Sequence, residues 1–238
     1  MEKINSWEET PFAQLEIPAQ AQLYKRDKIF CLEKYNWDFK DCETFQIEIN
    51  KIIAKNRDYK FYIFTNHSHV FTLGRGNERG QDELVDFDPT LKSQLKFPVE
   101  QIHRGGGITF HYPGQWIFYP ICSISKSYTL DDHMCWILKS TGSILENDFS
   151  IQDLLIAKKL MGIWRERKKL ASIGVGLKSF VSLHGLALNL NKDEKMFSEL
   201  QKINPCGLDS TIYHTVESII NDQINPSNFT KSFIKSIS

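Results

Sequence analysis

The chain has 238 residues, enough for one large domain. Its 29 basic and 29 acidic side chains cancel, so overall charge predicts binding to neither nucleic acid nor membrane. A hydrophobic fraction of 41% with 16 phenylalanines can build an ordinary soluble core, and no apolar run reaches the ~20 residues of a spanning helix.

Residues 1–23 are expected to form an extension containing Pro11 and Pro18, leaving 24–238 as a single domain. The start lacks a basic segment followed by an apolar one and is too acidic for an ordinary transit peptide, so no export signal is expected. Between Asp38 and Lys55, Phe39, Cys42, Phe45, Ile49, Ile52 and Ile53 recur at helical spacing. Lys60–Thr65 is rich in aromatic and β-branched residues and predicts a strand. A second strand is expected over Val70–Leu73, closed by Gly74-Arg75-Gly76, and a third over Phe97–His103. Three glycines follow, Gly105, Gly106 and Gly107. Glycine loses the most backbone freedom on folding, so three in a row point to a wall that something approaches closely, although tight turns account for many such runs. Ile108–His111 and Trp116–Cys122 are expected to pair across the Pro113-Gly114 turn.

A long helix is predicted over Asp131–Glu146, with Asp131 or Asp132 as its N-cap. Strands follow at Leu160–Trp164, Lys169–Val175 and Leu183–Leu190. A short helix is expected at Asp193–Gln201, a loop at Ile203–Gly207, and two terminal helices near Val216–Ile220 and Asn228–Ile237. Helices before and after clustered strands imply an α+β domain whose sheet is mixed or antiparallel.

Cys31, Cys42, Cys122, Cys135 and Cys206 are scattered and include no C-x-x-C, so they suggest reduced thiols in a cytoplasmic protein. On chemistry alone Cys206, in a polar loop between Pro205 and Gly207, is either an inert thiol or a nucleophile. Lys169 closes the charged run Arg165–Lys169, which by itself suggests a solvated turn. His67, His111 and His184 stand at strand ends. They are compatible with a metal site, with pocket walls near a nucleophile, or with satisfied core histidines; no H-x-x-x-H spacing favours the first. His69 and His103 are expected to be bystanders. Gly74-Arg75-Gly76 lacks the Lys-Ser/Thr of a phosphate loop, and no G-x-S-x-G elbow is present.

Four segments, in order, carry a family resemblance. Arg104-Gly-Gly-x-x-Thr-Phe-His111-x-Pro-Gly-Gln115 resembles the signature of the octanoyltransferases of lipoic acid synthesis. His67-x-x-Val-Phe-Thr-x-Gly74, Lys169-Leu-Ala-Ser-Ile-Gly174, and His184-Gly-Leu-Ala-Leu-Asn189 followed by Asn204-Pro-Cys-Gly207 resemble its other segments. The resemblance implies one domain of the biotin/lipoate ligase kind, with a mixed, largely antiparallel sheet flanked by helices.

It implies transfer of octanoyl from acyl carrier protein to a lysine of a lipoyl domain, in a 2-oxoacid dehydrogenase or the glycine cleavage H protein. It implies neither ATP nor a cofactor or metal, and a monomer. Cys206 would be the thioester-forming nucleophile and Lys169 the general acid and base. His67, Arg104, Gly105, Gly106, Gly107, His111, Ser172, Ile173, Gly174, His184, Gly185, Leu186 and Ala187 would shape the substrate site. Burial beside an apolar chain would favour the neutral form of Lys169.

Two basic groups could meet acidic partners: Arg165, Arg167, Lys168, Lys158 and Lys159, or Arg75 and Arg79. Two alternatives are an ATP-dependent lipoate ligase and a non-catalytic acyl- or carrier-binding protein. The chain departs from the pattern at Tyr112, where glycine is common, and in a longer segment between Asn189 and Cys206.

Overall fold

Among the described residues, nine strands form one large sheet and three form a second, small one. The computed structural model describes residues 1–75, 92–93, 95–157, 161–203 and 210–237. The strands are β1 (Glu2–Ile4), β2 (Gln22–Arg26), β3 (Ile29–Lys34), β4 (Lys60–Thr65), β5 (Val70–Leu73), β6 (Val99–Gln101), β7 (Ile108–His111), β8 (Gln115–Cys122), β9 (Leu154–Ala157), β10 (Gly162–Arg165), β11 (Lys168–Lys178) and β12 (Val181–Asn189). The helices are α1 (Phe39–Lys55), α2 (Leu130–Asp148), α3 (Met196–Leu200), α4 (Val216–Ile220) and α5 (Pro226–Ser236). The large sheet has the order β1-β2-β3-β4-β8-β12-β11-β10-β9, with β3 and β4 parallel and the other pairs antiparallel, and the small one has the order β6-β5-β7. The expected mixed, largely antiparallel architecture is the one observed.

Strand alternation sorts the core into two layers. Phe61 and Ile63 of β4, with Ile117 and Tyr119 of β8, face α1 and the first residues of the chain. Tyr62, Phe64, Trp116 and Phe118 face α2, α4 and α5. Both faces being covered explains why β4 and β8 are continuous apolar runs. The caps follow local chemistry: Asp38 accepts from the amides of Lys40 and Asp41 at the start of α1. Thr129 caps α2 and forms a capping box with Asp132, so the cap lies two to three residues ahead of the Asp131 or Asp132 expected there.

Three features differ from the sequence reading. The first residues form a strand and bury Trp7 and Phe12 at 3% and 0% exposure, because their rings complete the layer over Phe30, Phe45 and Phe61. Strands β1, β2, β3 and β9 were not anticipated. β7 and β8 do not pair with each other. Both edges of β8 are occupied, by β4 through Thr65↔Ile117 and by β12 through Asn189↔Gln115, so β7 joins β5 in the small sheet. The turn between them is tied outward: the Asn66 side-chain amide donates to the Pro113 carbonyl at 2.9 Å, and the Asn191 amide donates to that of Gly114 at 2.8 Å.

Phe12→Ala removes a ring with centroids 5.0 Å from Phe30 and 5.1 Å from Phe61. It should lower unfolding free energy by about 3–5 kcal/mol, read by urea denaturation. A loss under about 1 kcal/mol would mean the opening segment adds nothing to the core.

Candidate functional site

The two sheets meet at the glycine run. Gly74 follows β5 with its Cα hydrogens against the backbone of that run; a Cβ there would lie 2.3 Å from the Gly106 carbonyl oxygen. Gly106 has φ of +79°, a conformation glycine adopts without strain. The Gly105 amide donates to the Val175 carbonyl at 3.1 Å, and the Gly74 amide to that of Gly107 at 3.0 Å. The loop is thereby strapped to the part of β11 that β10 does not cover. Gly105 serves this attachment, while Gly106 and Gly107 line a cavity.

That cavity, of about 50 Å³, is also lined by Arg104, Tyr112, Lys169 and Ser172. A neighbouring one of about 40 Å³ is lined by His111, Gly174, His184, Gly185, Leu186 and Ala187 among others. Arg104, Thr109, Ser172 and Ile173 belong to both linings, so the two are adjoining compartments of one slot. Its floor is the β11–β12 ladder, in which Ser172 faces Ala187, Ile173 faces Leu186, and Gly174 faces Gly185. A Cβ on Gly174 would be 3.1 Å from Arg104 Cδ, and one on Gly185 2.2 Å from the Phe118 carbonyl oxygen, so both strands come close to their neighbours here.

Lys169 is fully buried. Its side-chain nitrogen lies 5.2 Å from the centre of the Trp164 ring. The two residues are register partners across a bulge between β10 and β11, and Gly162 leaves room for the lysine stem. Trp164 carries no sequence signal of its own, since only strand pairing sets it across from Lys169. The Lys169 carbonyl accepts from the His214 amide at 3.1 Å, and Lys169 bridges to Tyr213.

A directional hydrogen-bond chain runs from here to Arg104. Asn189 Nδ2 donates to the Lys169 carbonyl at 3.3 Å. Gln115 Nε2 donates to Asn189 Oδ1 at 3.1 Å and to the Phe110 carbonyl at 3.2 Å, which turns its oxygen toward His111. His111 Nδ1 therefore carries a proton and donates to Gln115 Oε1 at 2.9 Å. Its Nε2 accepts from the Thr72 hydroxyl at 3.3 Å, and Thr72 Oγ1 accepts from Arg104 Nη2 at 3.0 Å. Arg104 also donates to Thr109 Oγ1 and to the carbonyls of Thr72 and Gly105. Gln115 and Asn189 stood inside the quoted motifs without being assigned a role; Thr72 and Thr109 gave no signal beyond their place there.

His67 lies behind the slot. The Trp37 carbonyl can only accept, so Nδ1 donates to it at 2.7 Å and Nε2 accepts from the Tyr119 hydroxyl at 3.1 Å. Burial holds His67 at about 4. His111 is lowered to about 3, first by burial and then by His67 and Arg104. His184 is lowered to about 3 by burial, then by Arg104, His103 and His67. It is thus neutral near pH 7, and its contact with Glu43 at 3.9 Å is not an ion pair. His69 and His103 stand apart from the slot, bonded to Asp193 and Arg75.

Cys206 lies outside the described residues, as do Lys158, Lys159 and Arg79. Of the remaining basic residues, Lys168 donates to the Thr211 carbonyl, Arg165 to that of Gln152, and Arg75 to His103; Arg167 is exposed.

Residues 43–238 match the family described as the lipoyl protein ligase A/B catalytic domain. An octanoyltransferase of Desulfotalea psychrophila is 34% identical over 167 residues, 69% of this chain and 72% of its own. One of Rickettsia prowazekii is 34% identical over 183 residues, 72% of this chain and 78% of its own. Among solved structures, P. falciparum LipL1 in complex with lipoate superposes with a TM-score of 0.65 at 13% identity, covering 88% of this chain and 60% of that one. Lipoate-protein ligase A bound with ATP gives 0.59 at 16% identity, covering 89% and 83%. At such identities the structures speak to fold alone.

Two outcomes follow from the geometry. Buried His67, His111, His184 and His133 (also held at about 4) sit below the ~6.5 of an unfolded histidine. The unfolded chain takes up protons first as pH falls. Stability from these groups is fully present above ~6.5 and is lost toward pH 3–4, at up to ~1.4 kcal/mol per pH unit for each. Urea midpoints at pH 7.5, 6 and 5 should fall accordingly; a flat profile would mean the imidazoles reach water. Gln115→Leu strands His111 Nδ1 and Asn189 Oδ1 in the core. It should cost about 3 kcal/mol in the same assay, whereas an unchanged midpoint would show the chain is dispensable.

Proposed function

This chain belongs to the lipoyl protein ligase A/B catalytic-domain family, and from that premise we propose that it is an octanoyltransferase of lipoate biosynthesis. It takes octanoyl from acyl carrier protein and delivers it to a lysine of a lipoyl domain. The relatives matched over most of their length bear that name, which favours transfer over ATP-dependent ligation.

The observation that supports the residue assignment is the burial of Lys169 at the slot, beside Tyr213. Ile203 is buried, and Tyr213 packs into the same cluster while bridging Lys169. Two residues separate Ile203 from Cys206, so three Cα–Cα steps limit the span to about 11 Å. In this reading the Cys206 thiol gives its proton to Lys169, and the thiolate attacks the carrier thioester. The carbon–sulfur bond to the carrier breaks and the departing thiolate takes the proton back. In the second half the incoming amine attacks the acyl carbon, the carbon–sulfur bond to Cys206 breaks, and the amine's proton passes by way of Lys169 to the departing Cys206 thiolate. Atoms and charge balance, and nothing is oxidised. Burial disfavours a charged amine, which suits Lys169 to move the proton both ways.

The slot is nearly closed, since its compartments of about 50 and about 40 Å³ hold a water or two each. The acyl chain enters by parting the side chains shared between them. Residues 24–238 form the catalytic unit, acting as a monomer in a reducing cytoplasm that keeps Cys206 a thiol. No helix among the described residues is long and apolar enough to cross a membrane. The lipoyl-domain partner sits on a 2-oxoacid dehydrogenase or a glycine cleavage H protein.

Intact mass after incubation with octanoyl-carrier protein tests the chemistry. The wild type should gain one octanoyl unit, and Cys206→Ser should gain none. Lys169→Met should slow delivery to a lipoyl domain by about 10²–10⁴-fold. Octanoylation that requires ATP and free octanoate would overturn the assignment in favour of a ligase.

A further inference from the structure

Beyond the inner compartment lies a larger cavity of about 210 Å³, walled by Ile47, Leu177, Leu183, Arg75 and His103. His184 is the one described residue common to both linings. Its ring is 3% exposed, and its Cδ2 edge lies against Gly176, where a Cβ would sit 3.3 Å away. Its backbone has φ of 59°, within a strand and on a residue other than glycine, which costs about 1–3 kcal/mol. Gln46 is 1% exposed, and its side-chain oxygen accepts from the His184 amide at 3.0 Å, holding that conformation. A residue kept in a costly conformation at the boundary of two cavities points to a boundary role.

Distances along the floor agree. Strand rise is about 3.3 Å per residue, so Ser172, in the Lys169 compartment, lies about 10 Å from Val175, the register partner of His184. Seven carbon–carbon bonds of about 1.5 Å in zigzag span roughly 9 Å. A chain with its carbonyl at Ser172 that runs along β11 therefore brings its eighth carbon level with the Val175–His184 pair.

We propose that His184 is the stop that sets acyl length, closing the slot against the outer cavity. This rests on the octanoyl-transfer reading and adds a specificity-determining residue to it. Glycine suits the left-handed backbone, so His184→Gly opens the passage while relieving strain. His184→Asn, shorter and also tolerant of that conformation, is the second variant.

The experiment compares octanoyl-, decanoyl- and dodecanoyl-carrier protein as donors, with melting temperature as the check on folding. Wild type should fall in rate by 10-fold or more from octanoyl to dodecanoyl, and both variants should raise the dodecanoyl-to-octanoyl ratio by about 10-fold. Adding Leu177→Trp, which fills the outer cavity, should reverse the gain in His184→Gly. A folded variant with the wild-type ratio would overturn the proposal, as would a wild type that accepts both donors equally. Absence of any transfer by wild type would instead sink the functional reading. The stop is then judged by binding: dodecanoate raising the melting temperature of the variants alone supports it, and equal effects on all three proteins reject it.

Discussion

The hydrogen-bond chain from Arg104 through Thr72, His111, Gln115 and Asn189 to the Lys169 carbonyl is the constraint on which the site depends. It crosses from the small sheet to the large one and joins the glycine loop to the strand bearing the lysine. Each group has a fixed role as donor or acceptor, so the chain works in one direction only. A second proton on His111 would put a donor where Thr72 already donates, beside the Arg104 cation. Burial and charge both keep the imidazole neutral. Satisfied buried networks of this kind specify a single arrangement.

Glycine does the complementary work. Gly74 and Gly106 let two backbones touch, while Gly174 makes room for the Arg104 stem and Gly185 for the Phe118 carbonyl of β8. The Arg104 stem lies over Gly174, so the cation that anchors the loop also forms the wall between the compartments. The result is a narrow, largely dry groove with a buried amine at one end and a neutral histidine at the other.

How much of this was legible depends on the length scale of the cause. Helix α1 announces itself by apolar spacing and β4 by composition, and α2, α4, α5, β5, β11 and β12 fall where elements were expected. The N-cap of α2 was missed by a few positions because a capping box was read as a lone aspartate. Trp7 and Phe12 looked peripheral, since a core that is completed from afar leaves no local pattern. The β7–β8 hairpin was expected because Pro113-Gly114 is a good turn; both edges of β8 turned out to be taken by strands distant in sequence. The three histidines share one signature, yet His67 braces Tyr119, His111 relays hydrogen bonds, and His184 stands at a cavity boundary.

The sequence by itself determined the element types, the family and the residues around which a site could form. These rest on local periodicity and on short motifs whose backbone demands are written into glycine, proline and capping residues. Only the tertiary structure decided that β5 and β7 form a separate sheet, that Trp164 covers Lys169, and that His184 stands between two cavities. The reason is physical: strand order and register are set by which faces and edges remain unfilled once the whole chain has packed. No local window of residues contains that information.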